Sequence, residues 1–242
     1  MFQNKTDINP WYSYKGTYYG KNEPYYYDKK DFKWCTTIEN NFEVIKNEIL
    51  AFIKNELESI NEYFNTDIVK GKNKWKVGSF YFWGKRNSDY CNQIPEVEKI
   101  LTAIPGFVSA GISILEPNTE IEPHNGDTDA SVRVHIPITV PEGLPKCGFK
   151  VGNEERAWEE GCVLIFNDAQ IHSAWNYTDY KRYLLIIDVV RPELLDKQNV
   201  ICANANSLIA LQELEYKHPF IKKLPGPIRS IIRHRLKSKF LK

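Results

Sequence analysis

From Phe107 to Val190 the sequence alternates between apolar and polar residues, which is the period of a β-strand buried on one face. Turn-type residues interrupt the alternation every few positions, so the segment divides into short strands. Eight strands are predicted, over 107–115, 119–124, 132–140, 148–151, 155–158, 162–166, 171–175 and 182–190. About eight short strands in succession favour a jelly-roll or cupin-like barrel.

Helical periodicity precedes the strands. Apolar residues recur at three- and four-residue steps over 38–64, after Thr36 and Glu39 in capping-box spacing. A second, shorter helix is predicted over 95–105. Residues 10–34 contain ten aromatic side chains in an irregular stretch and are expected to cover the core. The prediction is a mainly β (α+β) domain with the N-terminal helices packed outside the barrel.

The composition is that of an ordinary globular protein. Hydrophobic residues make up 42% of the 242 residues and charged residues 26%, which excludes disordered, collagen-like and coiled-coil classes. No apolar run reaches the ~18 residues of a membrane helix, and the first residues lack the apolar stretch of a secretory signal. Five scattered cysteines without a CxxC pair argue against disulfides and structural zinc. A cytoplasmic location is therefore expected.

Positive charge is concentrated at the C-terminal end. Residues 217–242 contain six Lys and three Arg without Asp or Glu, whereas the preceding 216 residues carry a net charge of −8. Apolar residues at helical spacing after Pro227 predict a short basic amphipathic helix. Such a helix could contact an acidic partner, nucleic acid or an anionic membrane surface. The interpretation favoured here is a solvated helix packed on the acidic body, with no specific nucleic-acid partner and no transmembrane segment.

Histidine is rare in this sequence. Of five residues, His124, His135 and His172 fall on predicted strands, while His218 and His234 lie in the basic tail. A single histidine in a barrel is more often a hydrogen-bonded core residue than a ligand, so these positions need further support.

Polar residues on the strands supply that support. In the strand over 132–140 the β-branched residues share one face, so Arg133 and His135 share the other. Arg182 and Asp188 share a face of the last strand in the same way. Guanidinium groups inside a barrel need counter-anions, because an unpaired buried charge is costly. These residues therefore predict a bound anionic ligand together with a metal.

The order of these residues resembles that of double-stranded β-helix oxygenases. His172 follows His124 by 48 residues, and Arg182 follows His172 by 10. In such enzymes the two histidines bind Fe(II), and the late arginine pairs with the distal carboxylate of 2-oxoglutarate. Bidentate guanidinium–carboxylate hydrogen bonds explain the use of arginine there. The implied cofactors are Fe(II), 2-oxoglutarate as cosubstrate, and O2.

Local motifs resemble one branch of these enzymes, the aspartyl/asparaginyl β-hydroxylase family. The matching stretches are Glu-Pro-His124-Asn-Gly, Val-Arg133-Val-His135-Ile, Trp158 to Asp168, His172-Ser-Ala-Trp175 and Arg182 to Leu194. The spacings hold over 113–194, and a weaker resemblance extends upstream to Pro10-Trp11. It implies a double-stranded β-helix barrel over about 107–194 in an oxygenase domain over 1–195, followed by a helical basic extension over 196–242.

The resemblance also implies a role for each matching residue. The matches are His124 and His172 for Fe(II), Ser113 and Arg182 for the C5 carboxylate of 2-oxoglutarate, Arg133 and His135 for its C1 end, and Trp158 and Trp175 for packing. Trp83 matches an aromatic residue near the substrate cleft, and Arg133 also lies next to the substrate. Ser131 replaces an arginine of the animal members, and only Cys91 remains of their cysteine pair. These departures argue against an aspartate of an epidermal-growth-factor-like domain as substrate.

The third iron ligand is missing from its usual place. A carboxylate two residues after the first histidine completes the common triad, but that position is Gly126. Asp127 and Asp129 are near in sequence, yet strand alternation directs them differently. Related halogenases fill such a vacancy with halide, whereas the hydroxylases of this family use water. Two protein ligands, His124 and His172, are therefore predicted.

The predicted function is hydroxylation of an unactivated C–H bond, with succinate and CO2 as co-products. A small-molecule or peptide substrate that bears a carboxylate, such as an amino acid or an Asp/Asn residue, is favoured because Arg133 could bind it. The alternatives are a halogenase, a hydroxylase of lipid acyl chains, and a catalytically silent cupin-like binding module.

Overall fold

Two antiparallel sheets form the body of the protein. The computed structural model describes residues 9–13, 18–63, 65–69, 71 and 74–241. Within this part, the larger sheet has the order β1 (Tyr26–Tyr27), β9 (Leu164–Phe166), β6 (Ser131–Thr139), β11 (Arg182–Val190), β4 (Phe107–Leu115), β2 (Trp75–Phe82) and β3 (Lys85–Arg86). The smaller sheet has the order β5 (Thr119–His124), β10 (His172–Asn176), β7 (Cys147–Val151) and β8 (Glu154–Arg156). Side chains of both sheets share one apolar cluster between them, which confirms the predicted jelly-roll, or double-stranded β-helix, fold class.

All eight predicted strands are present, three of them with the predicted limits. The others shift by one or two residues at their ends. Strands β1, β2 and β3 were not predicted. In β2 the register against β4 shifts between Ser79 and Tyr81. Because of this bulge, apolar and polar residues do not alternate regularly along the strand.

Helices cover the outer face of the larger sheet. They are α1 (Trp34–Asn40), α2 (Phe42–Glu56), the short α3 (Ser88–Cys91) and α4 (Pro95–Thr102). Ile45, Ile49 and Phe52 of α2 pack in one buried cluster with Val134 and Ile187 of the sheet. Burial of each such side chain contributes about 1.5–3 kcal/mol, so the amphipathic pattern of α2 fixes the sheet's outer face.

The first predicted helix is divided in two. Asn41 leaves helical geometry, with φ −104° and ψ 16°, between α1 and α2. The predicted capping box is wrong: α1 begins at Trp34, so Thr36 lies inside the helix. Glu39 instead pairs with Lys29. The predicted end at Phe64, like residues 1–5 at the N-terminus, lies outside the described residues, and α2 ends at Glu56.

Two α-helices, each preceded by a 3-10 helix, follow the last strand in the described part of the chain. After a 3-10 helix (Pro192–Lys197), α5 (Gln198–Lys217) packs Ile201, Ala205 and Ile209 in a third buried cluster with Trp83 and Val108. A second 3-10 helix (Pro219–Lys223) leads to α6 (Gly226–Phe240), which confirms the predicted C-terminal helix. No helix in the described ranges has the length and apolarity needed to cross a membrane.

The inner faces of the central strands carry the polar residues. In β6, β11 and β4 the register places His135 opposite Ile186, and Leu184 opposite Ser113. Alternate residues on these strands belong to the outer cluster. Arg133, His135, Arg182 and Ser113 therefore lie on the side of the sheet that faces the smaller sheet, as the alternation predicts.

Candidate active site

Two histidines of the smaller sheet lie side by side. His124 ends β5 and His172 begins β10, the register pairs them, and their ring centroids are 4.3 Å apart. Each Nδ1 is hydrogen-bonded to a backbone carbonyl, of Glu122 at 2.8 Å and of Gln170 at 2.9 Å. Because a carbonyl oxygen only accepts, Nδ1 carries the proton in both rings and Nε2 keeps its lone pair. Burial lowers the pKa of both imidazoles, so both are neutral at pH 7, as a metal ligand must be.

Position 126 has no room for a side chain. A Cβ there would lie 1.5 Å from Oδ2 of Asp168, and the Gly126 N–H donates to the Asp168 backbone carbonyl at 2.7 Å. Oδ1 of Asp168 lies 3.6 Å from Nε2 of His172. A carboxylate from a distant part of the chain thus occupies the place where the missing triad residue would begin.

The two aspartates near Gly126 have other contacts. Asp129 is buried, accepts the backbone N–H of Trp11 at 2.6 Å and pairs with Lys21. Asp127 hydrogen-bonds to the Trp83 side chain, and burial raises the pKa of its carboxyl group. In the ranges that the structure describes, no three or more His, Cys, Asp or Glu residues group as a metal site. Coordination by His124 and His172 alone stays a prediction.

Arg133 is held between two carboxylates. Its Nε and Nη2 donate to the two oxygens of Asp188 at 2.8 and 3.0 Å, and its Nη1 donates to Asp168 at 2.8 Å. Burial acts to lower the pKa of Arg133, but these carboxylates outweigh it and raise the pKa. For Asp168, burial raises the pKa although Arg133 opposes it. The network fixes the Asp168 carboxyl group beside His172. It also compensates the positive charge of Arg133.

Arg182 is buried inside the barrel and has no counter-ion among the described residues. Only 1% of its surface is exposed to solvent. Its Nε and Nη2 atoms have no hydrogen-bond partner among the described residues. The guanidinium lies 4.9 Å from the Trp158 ring centroid. Burial lowers the pKa of Arg182 to about 10. A buried cation with free donors is a site for an anion.

The other predicted cosubstrate residues are on the same inner surface. Ser113 Oγ accepts the Trp75 indole N–H at 2.9 Å, and the Trp158 indole N–H is 3.1 Å from His135 Nδ1. Because the indole only donates, Nδ1 of His135 accepts and Nε2 carries the proton. Burial lowers the pKa of His135 well below its usual value, so this ring is neutral and can donate from Nε2.

The tryptophans have different positions. Trp158 was interpreted as packing, and it does pack, but it also orients His135 and covers Arg182. Trp175 donates to the Pro145 carbonyl at 2.8 Å, which agrees with a structural role. Ser131 is buried on β6 opposite Val190 and is not among the described residues that line the cavity.

A cavity of about 460 Å³ leads from His124 to the surface. Its inner wall includes Arg133, Asp188 and Ser113, and Trp83 also lines it. Trp83 has a left-handed backbone, with φ 45°. Its N–H donates to Ser109 Oγ at 3.1 Å, and its carbonyl accepts from Asn206 of α5 at 3.0 Å. These contacts hold an unfavourable conformation at the predicted cleft residue.

Sequence reasoning missed part of the site. Asp168 was only the end of a matching motif, and α5 was not connected with the cavity, although Ile209, Gln212 and Tyr216 line it. The Asn-Asp pair after strand β9 could have signalled Asp168, since polar residues that end a buried strand often reach a site. Nothing in the local sequence of α5 indicates a cavity wall.

Comparison with known proteins identifies the family. The sequence pattern described as aspartyl/asparaginyl beta-hydroxylase matches residues 39–192. The chain belongs to the aspartyl/asparaginyl β-hydroxylase family. The matched range contains every predicted site residue, whereas α5 and α6 lie beyond it.

Relatives in the family carry more than one name. The chain is 31% identical over 173 residues to an ornithine lipid ester-linked acyl 2-hydroxylase of Rhizobium tropici, covering 70% of this chain and 61% of that protein. It is 30% identical over 170 residues to human aspartyl/asparaginyl beta-hydroxylase, covering 67% of this chain and 22% of that protein. The chain therefore matches less than two thirds of the length of either relative.

The chain is also similar to a solved structure. A prolyl-4-hydroxylase of Pseudomonas putida covers 62% of this chain and 87% of its own, with 12% identity and a TM-score of 0.43.

Proposed function

We propose that this member of the family is an Fe(II)- and 2-oxoglutarate-dependent dioxygenase that hydroxylates an unactivated C–H bond. The observation that carries the proposal is Arg182, a guanidinium buried inside the barrel with two donor nitrogens lacking partners among the described residues. The carboxylate of an anionic cosubstrate would supply the negative charge that the Arg182 guanidinium lacks among the described residues. The hydroxylase names of the relatives support the same reaction class.

The residues fit both groups. Two neutral imidazoles with their Nε2 lone pairs free suit Fe(II), and the donor set of Arg182, with Ser113 and neutral His135 nearby on the inner face, suits a dicarboxylate. In this proposal His124 and His172 hold the metal and Arg182 the distal carboxylate. When bound, the iron supplies activation of O2 coupled to decarboxylation of 2-oxoglutarate to succinate.

The chain itself contributes orientation. The Nδ1 contacts fix both imidazoles, and the network of Arg133 with Asp168 and Asp188 holds a carboxylate beside His172. Trp83, held from both sides, lines the route by which a substrate C–H reaches the site.

The side chain of Asp168, which fills the space beside Gly126, favours hydroxylation over halogenation. Oδ2 of Asp168 stands where a side chain from position 126 would begin. A carboxyl oxygen there takes up room at the position of the missing triad residue, which leaves less space for a halide ion. The same carboxylate can accept a hydrogen bond from water, which agrees with the hydroxylase alternative.

The residues of the inner site favour no single class of substrate. The expectation of a carboxylate-bearing substrate rested on Arg133, which already directs three of its five N–H donors, one from each nitrogen, to Asp188 and Asp168. A lipid acyl chain is the second candidate, because the Rhizobium tropici relative is named as an acyl hydroxylase of an ornithine lipid. Both substrates remain within the proposed reaction.

An anaerobic titration tests the proposal. Adding Fe(II) and then 2-oxoglutarate should produce the weak visible charge-transfer band of the cosubstrate bound to iron. His124→Ala and His172→Ala should lose the band, while Trp175→Phe, a change at a residue assigned to packing and not to iron or 2-oxoglutarate, should keep it. Succinate release and a +16 Da product over amino acids, peptides and acyl lipids would then identify the substrate. Absence of the band with folded protein would leave the silent binding module, and a chlorinated product would establish the halogenase.

A further inference from the structure

The hairpin formed by α5 and α6 exposes apolar side chains that packing does not account for. From Tyr216 onward, the large apolar residues that are 44–63% exposed are Tyr216, Phe220, Ile228, Ile231 and Leu241. All five lie within 26 consecutive residues beyond the family match. Large exposed aliphatic side chains on a basic helix are typical of proteins that lie on a lipid surface.

Four of these residues cluster at the turn of the hairpin. Arg229 in the first turn of α6 pairs with Glu215 in the last turn of α5 at 2.7 Å. This ion pair brings the chain around Tyr216 next to the chain around Ile228. Phe220 lies in the connection, and Ile231 is one helical turn beyond Ile228.

The mouth of the cavity opens at the same turn. Tyr216, Gln212 and Lys222 line the cavity and are themselves exposed, as is Phe82 of β2. At its far end α6 is fixed near the same wall, since Lys85 lies 3.9 Å from the ring centroid of Phe240. Residues of α5 and of the connection to α6 therefore form part of the cavity wall at its opening.

Cations surround the exposed apolar residues. Lys217, Lys223, Arg235 and Lys239 are exposed and make no ion pair with a described carboxylate. The body that precedes residue 217 is acidic, with a net charge of −8 against +9 for residues 217–242. An anionic surface would therefore attract the hairpin and repel the body, which orients the molecule.

We propose that the α5–α6 hairpin docks on an anionic lipid bilayer and places the cavity mouth at the membrane surface. Aliphatic side chains among the cations favour lipid over nucleic acid, whose phosphates need cations and gain little from isoleucine. Docking is independent of the proposed hydroxylase function. Only the consequence that the substrate resides in the membrane rests on that function.

Co-sedimentation of the full-length protein with vesicles tests the proposal. We expect binding to vesicles of phosphatidylcholine and phosphatidylglycerol in equal amounts, falling with added salt, and little binding to phosphatidylcholine alone. The measurement needs neither iron nor 2-oxoglutarate. The two proposals can therefore fail separately. Protein that does not bind vesicles can still show the charge-transfer band, and protein without the band can still bind vesicles.

Two variants separate the contributions of charge and apolar contact. Lys223→Gln/Arg235→Gln/Lys239→Gln should weaken partition into the anionic vesicles roughly five-fold per cation. The matched control Lys30→Gln/Lys33→Gln/Lys54→Gln removes the same charge from exposed positions on the body and should bind like the natural sequence. Ile228→Ser/Ile231→Ser keeps all charges and should weaken partition by at least about ten-fold.

Three results would overturn the proposal. The first is absence of binding to the anionic vesicles. The second is an equal loss in the hairpin triple variant and its control, which would reduce the effect to net charge. The third is unchanged partition of Ile228→Ser/Ile231→Ser together with tight binding of duplex DNA, which would make the surface a nucleic-acid site. Circular dichroism on each variant distinguishes these outcomes from misfolding.

Discussion

Arg182 shows how a single residue can leave the ligand-free fold below its maximum stability. Its guanidinium is desolvated by the barrel, and the nearest aromatic face, Trp158, offers only a cation–π contact in return. Burying a charge without a counter-ion costs several kcal/mol. The residue is therefore unfavourable for folding and favourable for binding, a combination expected at a functional site.

Replacing this charge should separate stability from binding. Arg182→Met keeps an unbranched side chain and removes the buried cation, so the ligand-free variant is expected to be more stable by about 1–4 kcal/mol. We expect 2-oxoglutarate to raise the melting temperature of the natural protein loaded with Mn(II) in place of Fe(II), and the variant should lose this rise. Thermal melts with and without 2-oxoglutarate measure both effects. Arg86→Met, a change at an exposed arginine, is the control and should keep the ligand-dependent rise; an equal loss there would contradict the assignment.

The contact between Gly126 and Asp168 makes a second prediction at this scale. Gly126→Ala places its Cβ on the Asp168 carboxylate and should lower the free energy of unfolding. In an Asp168→Ala background the space is open, so the same change should cost less. The difference between the two steps is a coupling energy, expected at about 0.5–3 kcal/mol. Urea unfolding of the four proteins measures it, and additive effects would show that the two side chains do not compete for one volume.

Secondary-structure elements show which features are encoded locally. Most strands from β4 to β11 follow from the two-residue period, because they have one face on the apolar core. The exception is β8, whose three residues are not buried. Strand β2 was missed since its bulge at Ser79 and Tyr81 disrupts that period. The break at Asn41 is equally invisible, because the apolar spacing continues through it. His124, His172 and Arg182 could be found from order and spacing, whereas the contacts of Asp168 with Gly126 and Arg133 arise only from the folded chain.

The junction of α5 and α6 carries a prediction of its own. Arg229 and Glu215 form a largely buried ion pair, and removal of one partner leaves the other charge buried. Arg229→Met is therefore expected to loosen α6 from α5 without changing the barrel. Hydrogen exchange should speed up for the amides of α6 and the end of α5, with the amides of β4, β6 and β11 as internal reference. Uniform acceleration across all these elements would mean that the hairpin is not a separate unit of opening.

At the scale of the whole molecule, the boundary of the family match does not coincide with a boundary of the core. Ile201, Ala205 and Ile209 of α5 share a buried cluster with Trp83 and Val108. Three such side chains contribute roughly 4 kcal/mol or more by burial, a large part of the 5–15 kcal/mol that stabilises an ordinary domain. The predicted division at residue 195 thus marks where resemblance ends, while α5 folds with the barrel.

Two truncations should behave differently for that reason. Removing residues 217–242 is expected to leave the affinity for 2-oxoglutarate unchanged, because every assigned ligand precedes Val190, although the loss of Arg229 lowers stability. Removing residues 196–242 uncovers the cluster around Trp83 and should give an unstable or insoluble product. Calorimetric titration with 2-oxoglutarate and thermal melts test the pair. If the protein without residues 217–242 is folded but does not bind 2-oxoglutarate, the tail is part of the binding site.

The shared volume at Gly126 also limits how this sequence can change over generations. A substitution at position 126 that would restore an ordinary triad carboxylate meets Asp168 before it can contribute. Asp168 in turn cannot shrink first without depriving Arg133 of one of its two partners. Each single step therefore leads through a less fit intermediate, and the two positions are expected to vary together among descendants of this gene.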